Sequence, residues 1–174
     1  LAYEVIIKPS LDVNWTYFVD AHSGEVVRRI NNIRNVGSIV NASGQDLLGV
    51  TRSYSSWSEL GTYYLIDPST PLVDASYDPL NSGPNASGDT FIFDAQNGNG
   101  GSLFYVSSNA QNSGWDASGV SASYNIRRVY DYYDQTFGRN SYDDAGKNLF
   151  AVIHFSQNLN NAYWNGTHMV FGDG

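Results

Sequence analysis

The chain contains no cysteine, which excludes a disulfide framework and any thiolate-held metal. Charge is scarce at 15%, and positive charge scarcer still. Nine Lys and Arg stand against 17 Asp and Glu, a net charge of -8. So acidic a chain lacks the basic face that neutralises phosphates, so nucleic acid is not an expected partner. An anionic membrane surface would repel it for the same reason. No apolar run approaches the span of a bilayer, and no signal peptide is visible. H-E-x-x-H, G-x-S-x-G, Walker and dinucleotide-binding patterns are all missing. The chain is therefore expected to carry no catalytic residue and no metal ligand set of its own.

Aromatic residues are plentiful at 14%, with 13 Tyr and 4 Trp, and 41% of residues are hydrophobic. That profile suits a sheet-rich extracellular protein. The 174 residues suffice for one ordinary domain or two small ones. Lack of disulfides is compatible with secretion, because bound calcium and packing also stabilise exported proteins. The first residues already read as strand and the last are Phe171-Gly172-Asp173-Gly174, so both ends read as cut from something longer.

Strand-like patterning opens the chain. Tyr3, Val5 and Ile7 alternate with Glu4 and Lys8; Trp15-Thr16-Tyr17-Phe18-Val19 is aromatic and β-branched. After Asp20-Ala21-His22-Ser23-Gly24 comes a third run, 25–30, with Gly24 free to adopt positive φ in the hairpin turn. From Asn31 to Gly44 periodicity fades into Asn, Ser and Gly, which reads as a linker. Strand-like runs resume at 47–54, 62–66, 90–93 and 102–106, separated by loops, notably 77–88 and 96–101. One helix is expected next. Asp116 or Ser118 caps it, Ala122, Ile126, Val129, Tyr130, Tyr133 and Phe137 recur at three- and four-residue steps, and Gly138-Arg139-Asn140 ends it. An apolar strand at 149–155 and a short one at 169–171 follow.

The polar candidates read mostly as structure. His22 sits in a turn, and His154 in an apolar strand, where a hydrogen-bonded core histidine is expected rather than a ligand. His168 neighbours the segment discussed next. Asp131 and Asp134 share a helix face and read as solvated. Asp143-Asp144 reads as a turn, and Asp94 with Asn97 and Asn99 as a hairpin connection. Asn-x-Ser/Thr sequons at Asn14, Asn41, Asn85 and Asn165 matter only in a host that glycosylates them.

Asn160-Asn161-Ala162-Tyr163-Trp164-Asn165-Gly166-Thr167-His168-Met169-Val170-Phe171-Gly172-Asp173-Gly174 resembles the substrate-edge segment of thermolysin-family neutral zinc metalloendopeptidases. Val152-Ile153-His154-Phe155-Ser156-Gln157 is similar to the strand before it, Val129-Tyr130-Asp131-Tyr132-Tyr133 to the family's long helix, and Phe91-Ile92-Phe93-Asp94-Ala95 with Gly101-Ser102-Leu103 to its early paired strands. Residues 1–30 resemble the end of the family's PepSY-type propeptide, in Ala2-Tyr3-Glu4-Val5, Trp15-Thr16-Tyr17-Phe18-Val19-Asp20-Ala21 and Gly24-Glu25-Val26. Val106-Ser107-Ser108-Asn109 lacks the carboxylates that some members use there for calcium.

The resemblance implies an α+β fold of β-rich mixed sheets with one long helix, preceded by a small antiparallel propeptide hairpin module. It implies residues 1–33 as the C-terminal part of a PepSY-type propeptide, 34–45 as a linker with the processing region, and 46–174 as the N-terminal domain of a thermolysin-like peptidase. The chain would belong to a secreted precursor whose zinc and calcium are bound in the full-length enzyme, none of either being expected in this piece. By resemblance Asn161 would hold substrate backbone through its amide, Ala162 would offer its main-chain carbonyl, and Tyr163 and Trp164 would shape the wall. Partners implied are a polypeptide substrate, the chain's own propeptide and the missing C-terminal half. Alternatives are a non-catalytic secreted PepSY-containing binding or inhibitory module, or a carbohydrate-binding β domain suggested by Trp and Tyr beside Asn-rich loops.

Overall fold

Where apolar and polar residues alternate near the N-terminus, strands form, as a half-covered pleated surface requires. A computed structural model describes residues 1–10, 13–31, 37–69, 79–80 and 88–174. The chain divides into two compact units, Leu1–Asn35 and Val36–Gly174. The first is an antiparallel sheet of β1 (Ala2–Ser10), β2 (Val13–Asp20) and β3 (Val26–Asn31), in that order. Register pairs Tyr3 with Val19, Val5 with Tyr17 and Ile7 with Trp15, so one face collects the apolar side chains. Asp20 shapes the β2–β3 turn, its Oδ1 accepting the N–H groups of His22 and Ser23 at 2.9 Å each.

The second unit begins with a correction. Residues 38–45, which composition marks as linker, form β4 (Ser38–Gln45), paired along its whole length with β5 (Thr51–Glu59). Its small residues hide it from hydrophobic periodicity, yet Ala42 is 1% exposed. A Cβ on Gly44 would come within 2.9 Å of the Tyr54 hydroxyl, so smallness here serves packing. Residues 32–36 of the same stretch, and most of the loop at 77–88, lie outside the described residues. The run at 47–54 is also corrected. Its first part is a turn, because Asp46 Oδ1 accepts the N–H groups of Leu48 and Val50 at 2.9 Å each, and the strand starts at Thr51. β6 (Thr62–Tyr64) and β10 (Ser107–Ser108) complete this sheet in the order β10-β6-β5-β4.

The third sheet holds the core. β7 (Ile66–Asp67), β8 (Thr90–Asp94), β11 (Leu149–Ile153), β13 (His168–Phe171) and β12 (Ala162–Trp164) lie in the order β12-β13-β11-β8-β7, with β9 (Phe104–Tyr105) also on β8. β8, β11 and β13 are mutually parallel. Central parallel strands are covered on both faces, which is why Thr90-Phe91-Ile92-Phe93 and Leu149-Phe150-Ala151-Val152-Ile153 read as unbroken apolar runs.

Helix α1 (Ala117–Phe137) packs on this sheet. Asp116 is its N-cap, accepting the Gly119 N–H, and Gly138 ends it in left-handed backbone at φ 63°. Gly119 is required sterically, since a Cβ would stand 2.8 Å from Leu65 Cδ1. Of the expected apolar stripe, Ala122, Ile126 and Tyr130 are buried, whereas Val129, Tyr133 and Phe137 are exposed. The architecture is thus α+β: one long helix, several sheets, and a small antiparallel sheet near the N-terminus.

Candidate functional site

The segment singled out at 160–174 folds as a β-hairpin on the rim of the third sheet. Asn165 builds its turn, its Oδ1 accepting the N–H of Thr167 at 2.9 Å and that of His168 at 2.7 Å, while Gly166 takes φ 100°. β13 is held from inside by β11. β12 pairs only with β13, so among the described residues its outer side has no partner strand.

Antiparallel pairing decides which backbone groups face outward. Gly172 N–H donates to the Asn161 carbonyl at 3.0 Å, and Asn165 N–H to the His168 carbonyl at 3.1 Å. Bonding residues alternate along such a strand. Asn161, Tyr163 and Asn165 therefore face β13, and the N–H and C=O groups of Ala162 and Trp164 face the open side. All four candidate residues, Asn161, Ala162, Tyr163 and Trp164, are exposed. Tyr163 leans on Phe155, ring centres 6.4 Å apart, and Trp164 meets Tyr142 edge-on at 5.1 Å. Beside Trp164 opens an apolar cavity of about 560 Å³, lined by Ile126, Val129, Tyr130, Tyr133 and Tyr142 among others.

The hairpin's base is close-packed. Gly174 N–H donates to the Leu159 carbonyl and Phe155 N–H to the Phe171 carbonyl, each at 3.0 Å. A Cβ on Gly172 would fall 2.1 Å from the Leu159 carbonyl oxygen, so the returning strand can lie this close only through glycine.

The histidines take three different places. His22 is exposed in its turn. His168 packs its ring 5.3 Å from that of Phe150, and burial pulls its pKa below the ordinary value, favouring neutral imidazole. Its Nδ1 lies 2.7 Å from Thr167 Oγ1. His154 is hydrogen-bonded, as expected, but half-buried rather than in the core, and its partners are Asp173 and Asp116. Sequence reasoning gave Asp116 only a capping role. Separations of 19 and 38 residues offer no spacing signal that could have joined the three.

The acidic pairs behave as structure. Asp131 holds Arg127 at 2.7 Å across one helical turn. Asp143 Oδ1 accepts the Ala145 and Lys147 N–H groups at 3.0 Å each. Asp94 Oδ1 accepts the Gln96 N–H at 2.7 Å, closing a plain turn. Among the described residues no three His, Asp or Glu side chains are grouped so as to hold a metal ion.

Comparison with known proteins bears on the same segment. The family model for the thermolysin metallopeptidase catalytic domain matches residues 41–174. Bacillolysin of Bacillus cereus is 34% identical, the match covering 92% of this chain and 30% of that protein. Bacillolysin of Bacillus amyloliquefaciens is also 34% identical, covering 100% of this chain and 31% of its own length. The chain thus spans less than a third of these curated relatives. The solved precursor of protealysin, a metalloproteinase from Serratia proteamaculans, is 36% identical with a TM-score of 0.45, covering 49% of this chain and 26% of that one.

Proposed function

Because the chain belongs to the thermolysin metallopeptidase family, we propose that it supplies the substrate-edge strand of a secreted zinc-dependent endopeptidase precursor. The observation carrying this reading is the open side of β12. There the backbone groups of Ala162 and Trp164 are aligned to pair an extended peptide as one more strand. Asn161 adds a side-chain amide that can hold substrate backbone, and the small Ala162 leaves room for approach. Tyr163 and Trp164 form the wall. Zinc, when bound in the full-length enzyme, supplies an activated water. The residues described here do not fit it as a ligand set, and the groups that hold it belong to the part of the relatives this chain does not span. Alone, the chain is not expected to hydrolyse peptides.

The precursor reading rests on the division into two units. Residues 1–33 serve as the end of the propeptide, which assists folding and blocks the cleft, and the cut falls within 34–45. A cut before Ser38 leaves β4 whole. The missing C-terminal half is the natural cover for the cavity beside Trp164 and for the exposed Val129, Tyr133 and Phe137. No described helix is long and apolar enough to cross a membrane.

The test is a titration of the isotope-labelled chain with a short extended peptide, followed by amide NMR. Shifts are expected at Ala162 and Trp164. Ala162→Pro should abolish the shift at Trp164 while leaving the fold intact, because proline is tolerated where the lost N–H points off a sheet edge. Shifts confined to other surfaces would overturn the reading. So would a reading frame that continues past Gly174 without H-E-x-x-H.

A further inference from the structure

His154 follows β11 in left-handed backbone, φ 51°, with its carbonyl fixed by the Asn97 N–H at 2.8 Å. Each of its ring nitrogens meets a carboxylate. Nδ1 is 2.7 Å from Asp173 Oδ2, and Nε2 is 3.2 Å from Asp116 Oδ2. An ionised carboxylate can only accept hydrogen bonds, and a neutral imidazole has one N–H to give. Neutral His154 could therefore bond one partner while turning a bare lone pair toward the other. The imidazolium has an N–H for both.

We propose that His154 is held as an imidazolium and is the positioning residue of the substrate ledge, bolting the ledge's base to the N-terminus of α1. The proposal rests on the ledge reading above and names how that ledge is fixed. Asp173 lies between Gly172 and Gly174, whose N–H groups bond the carbonyls of Asn161 and Leu159 just before β12. Asp116 meanwhile uses its other oxygen, Oδ1, to cap the helix through the Gly119 N–H at 2.9 Å. One ring thus joins three segments far apart in sequence: the end of β11, the start of α1 and the strand returning from the hairpin.

Beyond Asp173 and Asp116, the charged groups near the ring are Asp94 and, in the 174-residue chain, the terminal carboxylate of Gly174, both negative. Asp94, on β8 opposite Ile153, has its Oδ1 engaged by Gln96. The side chains that α1 and the Asp46 turn bring to the adjoining cleft, Leu47, Ser118, Ser121 and Ile126, are not ionisable. Burial alone pulls the His154 pKa down, but the hydrogen bonds and charges of Asp173 and Asp116 outweigh it and leave the pKa raised. A raised folded-state value means that the bridge contributes fully below the unfolded histidine value of about 6.5 and is lost as pH rises through the folded value. The ledge base should loosen on the alkaline side.

The experiment uses the 174-residue chain. Imidazole nitrogen NMR should show both ring nitrogens of His154 protonated below its midpoint, with that midpoint above the ordinary histidine value. Amide protection at Gly172 and Gly174, corrected for intrinsic exchange, should fall with the same midpoint. Asp116→Asn keeps the Oδ1 cap and lets its amide donate to a bare Nε2. It should lower the midpoint and free the protection of Gly174 from pH in that window. Two results overturn the bridge: a bare His154 nitrogen in the acidic limb, or an Asp116→Asn chain with an unmoved midpoint. The peptide titration separates the two readings. No shifts at Ala162 with both nitrogens protonated sinks the ledge and spares the bridge; a bare nitrogen sinks the bridge whatever the peptide does.

Discussion

The N-terminal sheet and the body that follows it use strands of similar patterning, yet they hold together differently. Among the described side chains of the first unit only Thr16 is buried, while Ile6 is 56% and Val27 69% exposed. The second unit buries Ile92, Val120 and Ala151 completely. Alternation fixes which strands pair and which face is apolar. Burial needs a second layer, and within its own unit the three-stranded sheet has none among the described residues. It relies on backbone pairing and on cross-strand contacts such as Arg29 over the Trp15 ring at 5.6 Å, each worth a fraction of a kcal/mol to about 1.

The largest test of that contrast is a matched truncation. Ile92→Ala leaves a cavity between β8 and its neighbours and should cost about 2–5 kcal/mol in urea unfolding. Ile6→Ala should change stability by no more than about 0.5 kcal/mol. Equal losses would mean that something covers the first sheet. A second comparison concerns glycine. Gly172→Asn should cost about 1–3 kcal/mol, because the requirement there is space against the Leu159 carbonyl, and it should strip amide protection from Tyr163, whose N–H faces β13. Gly24→Asn should be close to neutral, since φ is +74° with nothing within 4 Å, and asparagine visits that region readily. A smaller effect lies at the helix start, where Asp116→Ala should remove about 1 kcal/mol through the lost cap, together with the Nε2 partner of His154.

These contrasts also show what the sequence made legible. Local chemistry was readable: the Asp116 cap, the Gly138 stop, the Gly24 turn and the apolar central strands each follow from one residue type or one period. The edge segment was legible through its dense resemblance to the family rather than through local pattern, since periodicity marks only the short strand at 169–171. β4 was not, because Ser38 to Gln45 stabilises its sheet through pairing and close approach rather than bulk. The turn at Asp46 hid for the opposite reason: Leu47 and Leu48 look like core and are exposed. The outer half of the α1 stripe lines an open cavity, and periodicity alone cannot distinguish a covered face from one awaiting cover. The His154 bridge depends on three segments meeting in space, which no spacing encodes.

Acid should produce the subtlest difference between the units. Backbone hydrogen bonds from Ser23 and then His22 hold the Asp20 carboxyl below its ordinary range. Asp46 is held low first by its hydrogen bond to Arg52, and further by the Val50 and Leu48 N–H groups, against the pull of desolvation. Depressed values mean that both turns are supported above the unfolded carboxylate value of about 3.9, and that this support is lost as pH falls through each folded value. The triggers match, but the consequences should not. Asp46 sits beside a ladder that pairs β4 with β5 from Ser38 to Gln45, whereas the Asp20 turn joins strands with no apolar layer behind them. Carboxyl carbon titration should place both midpoints below the ordinary value. Protection of the Gly24 N–H, bonded to the Asp20 carbonyl, should then fall further than that of the Gly49 N–H, bonded to the Asp46 carbonyl. If Gly49 opens as readily as Gly24, the buried face of β4 and β5, with Ala42 and Tyr54, is not what steadies that turn.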